Sequence, residues 1–150
     1  MKQRKEKSNR VGVTLSILTF VITGMLSMSF ICNAQSDKKR KPWAVPEKEK
    51  AVKSPVKSDA ATLANGKTLF TQYCKSCHGS TGKGDGPKSK ELDTPTGDFT
   101  EKAFQAESEG EIFYKAKEGR DDMPGFKKKI VDEKEIWAIV VYVRSLAGSK

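Results

Sequence analysis

The sequence predicts an all-α fold built from short helices. Three observations carry this: helix caps stand at the head of apolar patterns with a 3.6-residue period, no polar and apolar alternation runs longer than a few residues, and no internal repeat is present. The apolar share of 36% lies under the roughly 45–50% of ordinary globular chains, and the charged share of 31% exceeds their roughly 25%. A core of this composition is small, so something other than burial has to help hold it. With 150 residues the chain has room for one domain, which argues against a multidomain enzyme.

The first helix follows Asp59, where Leu63, the aliphatic stem of Lys67, Phe70 and Tyr73 recur at helical spacing and lead into Cys74. The second starts at Ser108. Ser108-Glu109-Gly110-Glu111 is a capping box, Ile112, Phe113 and Ala116 follow, and Gly119 stops the helix. The third has Asp132 as its cap with Glu135 at N3, and Val131 and Ile136 are spaced as a hydrophobic staple. Ile136, Ile139, Val140, Val143 and Leu146 line one face, so this helix should reach about Ala147. The β-branched run Ile139-Val140-Val141 suits a strand, but the caps and the period favour helix.

A formal charge of +9 invites a nucleic-acid or membrane reading, until it is divided along the chain. Residues 1–34 carry a net +4, residues 35–58 a net +5, and residues 59–150 are neutral, with 15 basic and 15 acidic side chains. A nucleic-acid-binding domain bears its excess on the folded part, so nucleic acid is excluded as a partner.

Residues 1–34 have the form of an export signal: Lys2, Arg4, Lys5, Lys7 and Arg10 precede an uncharged stretch from Val11 to Ile31, and Cys32-Asn33-Ala34 offers small residues at −3 and −1 for cleavage after Ala34. That stretch is also long enough to stay as a membrane anchor, and the two outcomes remain open; a lipid anchor on Cys32 is disfavoured by bulky Ile31 before it. Either leading outcome puts the rest of the chain outside the cytoplasm, in the periplasm or tethered to the outer face of the inner membrane. Residues 35–58 read as a flexible charged linker, with Lys38-Lys39-Arg40-Lys41, Pro42, Pro46, Pro55 and few large apolar residues. Within it Trp43 is a docking contact or an anchor for a partner. Residues 59–150 form the folded domain.

Cys74-Lys75-Ser76-Cys77-His78 is the C-x-x-C-H pattern of covalent c-type haem attachment. Two thiols three positions apart after a helix can each form a thioether to a haem vinyl group, and the adjoining imidazole then stands over the iron as proximal ligand. A thioredoxin-like pair would need a strand before the motif. A structural zinc site needs four ligands, and after Cys32 the only Cys and His residues are Cys74, Cys77 and His78. A plain disulfide leaves His78 without a purpose. For the distal position Met123 is the only methionine beyond residue 34, and its setting, Asp122-Met123-Pro124-Gly125, is poorly suited to a helical core. The alternative is an open, five-coordinate iron. Gly66-Lys67-Thr68 is not the end of a P-loop, because Ala61 stands where its first glycine belongs.

With these residues in view, the 59–145 stretch resembles a class I c-type cytochrome, of the small bacterial monohaem kind related to the haem subunits of cbb3-type oxidases. The likeness rests on Gly66 and Phe70 before Cys74, on Cys74-x-x-Cys77-His78-Gly79, on the Gly82-x-Gly84-Asp85-Gly86-Pro87 loop read as a tight haem-edge loop, on Gly119-x-x-x-Met123-Pro124, and on Ile139 with Tyr142. The resemblance implies a cytochrome c-like fold around one covalently bound haem c, with the first and last helices crossing at Gly66 and Phe70 packed on Ile139 and Tyr142. It implies that the Pro87 carbonyl orients the His78 ring. It also implies that Lys75, Lys83, Lys88 and Lys127-Lys128-Lys129 belong to segments that surround the haem, either as a positive docking edge or as ordinary solvated surface, while Glu107, Glu109, Glu111, Asp132, Glu133 and Glu135 cluster elsewhere.

The function so implied is that of an electron carrier, not an enzyme, passing single electrons between respiratory or dehydrogenase partners outside the cytoplasm: an oxidase, a dehydrogenase or a bc-type complex. The alternatives are a haem-based sensor or peroxidase with a displaceable Met123, and a fixed haem subunit of a membrane redox complex.

Overall fold

The computed structural model describes residues 42–147. The expectations for residues 1–34, whether cleaved signal, anchor or lipid attachment at Cys32, and for residues 35–41, fall outside the described residues. The helices in order are α1 (Glu47–Lys50), α2 (Ala60–Tyr73), α3 (Lys75–His78), a 3₁₀ turn at Ser89–Glu91, α4 (Lys102–Gln105), α5 (Glu109–Glu118) and α6 (Glu133–Ser145). No strand occurs among the described residues, only an isolated antiparallel bridge between Arg120 and Met123. No described helix is long and apolar enough to cross a membrane.

The caps expected at Ser108 and Asp132 form, and Asp59 caps the first long helix as well. The Asp59 carboxylate accepts from the Thr62 amide at 2.8 Å, which holds its pKa below the usual value, and Ser108 Oγ accepts from the Glu111 amide at 3.1 Å. Asp132 caps α6 by accepting from the Lys134 amide at 2.9 Å. The staple does not form: Val131 is 87% exposed, because the Ile130 amide closes a turn onto the Phe126 carbonyl at 2.8 Å and Ile130 takes the buried place. α6 also stops at Ser145, short of Ala147.

The main packing contact is α2 against α6. Its buried stripe on α2 is Gly66, Leu69 and Phe70, so Leu63 is exposed rather than in the core. A Cβ built on Gly66 would lie 2.0 Å from the Ala138 carbonyl oxygen, so only glycine lets the two backbones meet there. α6 is buried from Ile136 through Val143, on more than the single face expected, because α2 covers one side and α5 the other. On the α5 side Phe113 stacks on Trp137 at 4.1 Å. Arg144 donates from Nη1 to the Gln105 carbonyl at 2.8 Å and from Nη2 to the Glu107 carbonyl, which ties α6 to the end of α4.

The linker expectation needs correction over residues 42–58. This segment is a strap laid along α5, carrying α1 and the buried Val45, with Val56 packed against the core. Its seat is a notch at Gly110, where a Cβ would come within 2.1 Å of the Glu49 carbonyl oxygen. Composition missed it because the strap is held largely by backbone fitting into that notch and by two valines, while its charges stay in water.

Gly66→Ala should force α2 away from α6 and lower stability by about 1–3 kcal/mol, the usual cost of overpacking, read as a fall in the thermal midpoint of the full-length protein. An unchanged midpoint would contradict the close crossing.

Candidate haem site

α2 runs out at Tyr73, and the Cys74 amide bonds the Phe70 carbonyl at 2.8 Å while α3 starts at once. The motif is therefore fixed to the C-terminus of the packed helix. Behind it the 79–88 segment braces the short helix, since the amides of Gly84, Gly86 and Lys88 donate to the carbonyls of His78, Cys77 and Ser76 at 2.9, 3.2 and 2.9 Å. Those carbonyls sit at the end of α3, where the helix itself offers no donors.

A cavity of about 600 Å³ opens in front of the motif. Cys74, Cys77 and His78 line it, and so does Met123. Its apolar wall is made by Phe70, Phe99, Ile112, Phe126, Ile139 and Val140. The His78 ring is buried and stacks on Phe99 at 4.4 Å. Both cysteines are free and half-buried, and burial, helped by the neighbouring Cys77, pushes the Cys74 thiol up to about 12. This wall favours uncharged sulfur, and a thioether is uncharged.

Met123 reaches the cavity on a tight turn. α5 ends at Gly119, the Arg120 amide donates to the Met123 carbonyl at 2.8 Å, and the Met123 amide returns to the Arg120 carbonyl at 2.9 Å, with Asp121 between them at φ 51°. The Asp122 carboxylate accepts from the Thr94 amide at 2.9 Å, joining this turn to the 92–97 loop, which supplies a further wall.

Of the residues expected at the site, the structure brings Cys74, Cys77, His78, Met123 and Phe70 to one cavity. Tyr142 stands behind it, packed on Phe70 at 5.1 Å. Pro87 is exposed and does not line the cavity, and neither does any residue from Gly79 to Gly86, so this loop is a brace behind the motif rather than a haem edge. The lysine edge is also revised. Lys88 and Lys129 line the cavity, but Lys127 is paired with Glu118, and acidic Glu107 lines the cavity too, bonded by Lys115 at 2.7 Å. Sequence reasoning passed over Phe99, Phe104, Lys115, Arg120 and the role of Trp43, all of which border the cavity. The one signal for Arg120 was its place three residues before Met123, directly after the helix-ending Gly119.

The cytochrome c family model matches residues 63–147, more than half of the chain. The chain belongs to the cytochrome c family. This cytochrome c takes one covalently bound haem c, and the cavity fits that group: two cysteine sulfurs and an imidazole at one short helix, a third sulfur on the side chain of the Met123 turn, and an apolar lining. It is similar in structure to a chain of the Kuenenia stuttgartiensis reducing HAO-like protein complex Kustc0457/Kustc0458, at 26% identity and a TM-score of 0.57, over 74% of this chain and 53% of that one. The cytochrome c thus spans about half the length of that relative. It is also similar to the KustC0563 c-type cytochrome, at 31% identity and a TM-score of 0.49, over 55% of this chain and 96% of that one. No curated protein matches it.

Replacing Cys74 and Cys77 together with serine should leave a chain that carries no haem through denaturing electrophoresis and melts without cooperativity, because the cavity lies at the centre of a small core. A cooperatively melting, haem-free double variant would contradict this.

Proposed function

We propose that this cytochrome c carries single electrons between redox proteins outside the cytoplasm, with Cys74 and Cys77 as thioether sites, His78 as proximal and Met123 as distal ligand of the haem iron. The observation that carries the reading is that His78 and Met123 line the same cavity as the two cysteines. When bound, the haem supplies a one-electron couple, and a thioether ligand favours its reduced form. The protein's own part is to hold both ligands on short, braced segments, so that little rearranges when the charge changes. Phe70, Phe99 and Val140 keep water from the centre, and the stacked Phe99 fixes the plane of the His78 ring. No proton need move at the site.

The likeness to a chain of a reducing HAO-like protein complex supports a place among redox partners. An oxidase, a dehydrogenase or a bc-type complex fits the implied role, and the basic then apolar residues 1–34 support export to the periplasm, either released or held at the membrane. Lys88 and Lys129 at the cavity mouth, with exposed Lys75, Lys83 and Lys128, support docking on an acidic surface. The protein acts as a carrier and catalyses no reaction by itself.

Met123→Ala should abolish the weak far-red sulfur-to-iron charge-transfer band of the oxidised protein and lower its reduction potential, measured by absorption and redox titration. A band that survives the substitution would overturn the ligand assignment. Reversing the charges of Lys128 and Lys129 should slow electron transfer with the physiological partner on the order of tenfold at low salt and flatten its salt dependence, because steering fades as the screening length falls to ~10 Å at 0.1 M. Unchanged low-salt stopped-flow rates would make those lysines ordinary surface.

A further inference from the structure

The strap of residues 42–58 lies outside the region matched by the family, yet its first residues, Pro42 and Trp43, form part of the cavity wall. The side chain that grips them is Arg120. Its guanidinium lies over the Trp43 ring at 4.6 Å from the centroid, and its Nη1 donates to the Pro42 carbonyl at 2.8 Å. The Lys115 ammonium stands over the other part of this contact, 6.0 Å from the Trp43 centroid. Arg120 is also one half of the bridge that holds Met123, through paired backbone bonds of 2.8 and 2.9 Å. One residue therefore joins the strap through its side chain and the distal turn through its backbone. The strap is itself anchored, by Val45 in the core and by the Gly110 notch against Glu49 and Val52.

We propose that Trp43 is a positioning residue for the distal ligand: clamped by Arg120, it holds the Met123 turn closed over the cavity and keeps small exogenous ligands from the iron. This rests on the reading of Met123 as the distal ligand. The physical argument is one of two states. The Met123 turn carries Asp121 at a positive φ, which costs some free energy even for aspartate, so its paired backbone bonds and its surroundings share in keeping its shape. Its outer ties are the Asp122 bond to Thr94 and the Arg120 grip on the strap. A cation held over an indole face, with the guanidinium half-buried and bonded to a fixed carbonyl, is a strong tie of this type. Removing the indole takes away the surface on which Arg120 rests and leaves its grip on the strap to the single bond with the Pro42 carbonyl, which weakens one of the turn's two outer ties. A competing ligand then meets an open site more often, and its apparent affinity rises in proportion to the open fraction. The strap thus explains how a small domain with a solvent-edged turn keeps a carrier's closed site and does not act as a ligand-binding haem.

The test uses the full-length oxidised holoprotein titrated with imidazole, following loss of the far-red band. Trp43→Ala should tighten the apparent imidazole affinity by about tenfold, the scale of one lost cation–π contact. Trp43→Phe, which keeps an aromatic face, should restore most of the wild-type value. Leu146→Ala serves as the control for general destabilisation, since Leu146 is buried but does not line the cavity; it should lower the thermal midpoint and leave imidazole affinity in place. If Trp43→Ala binds imidazole as the wild type does, or if Leu146→Ala tightens binding equally, the clamp is overturned while the ligand reading stands. If the wild-type protein has no far-red band at all, the ligand reading falls, and the clamp falls with it.

Discussion

The rest of the structure depends on the crossing of α2 and α6 at Gly66 and Ala138, where a Cβ on Gly66 would stand 2.0 Å from a carbonyl oxygen. Because the backbones meet there, the two helices diverge from a fixed point. α2 delivers Phe70, Tyr73 and the start of the attachment motif to one wall of the cavity, and α6 delivers Ile139, Val140 and Val143 to another. The motif has no independent support long enough to hold itself, since α3 spans only Lys75–His78. It inherits its position from α2 and its rigidity from the 79–88 brace. A shift at the crossing is passed to the cysteines.

The cavity is the second constraint. A chain with 36% apolar residues encloses a space of about 600 Å³ at its centre, lined on much of its area by the same phenylalanines, isoleucines and valines that make up the core. Such a space is not a stable feature of an empty small domain, since its lining lacks packing partners on one side. A covalent haem would fill it, which would make the cofactor part of the core and give folding and redox function one set of contacts. The uncharged state that burial favours at Cys74 is compatible with a neutral thioether there.

How much of this was legible in the sequence follows from what each feature depends on. The caps at Ser108 and Asp132 rest on local hydrogen bonds and appear where the sequence signals them, while the cap at Asp59 was read only as the start of the first helix. The attachment motif is covalent chemistry at fixed spacing, and the close approach at Gly66 came from the family resemblance. The Val131 staple failed because a neighbouring turn brought Ile130 inward, a competition that a pattern does not reveal. The strap was read as a tether because its hold comes from backbone packing on Gly110 and from a distant partner, Arg120, 78 positions away from Pro42. The glycine loop was set at the haem edge by resemblance, whereas the amides of Gly84, Gly86 and Lys88 go to the back of the motif. Local and covalent features were readable from the residues, and the contacts between distant segments that were foreseen, Gly66 at the helix crossing and Phe70 on Tyr142, came through the family resemblance.

The central claim is that His78 and Met123 face one haem from the two segments that the fold brings to the cavity. Proton NMR of the reduced full-length holoprotein tests it directly, because the methyl group of a methionine held against a haem face sits in the ring current. The account predicts one three-proton methyl resonance shifted upfield of all other methyls and assigned to Met123. A Met123 methyl at an ordinary aliphatic shift would contradict it.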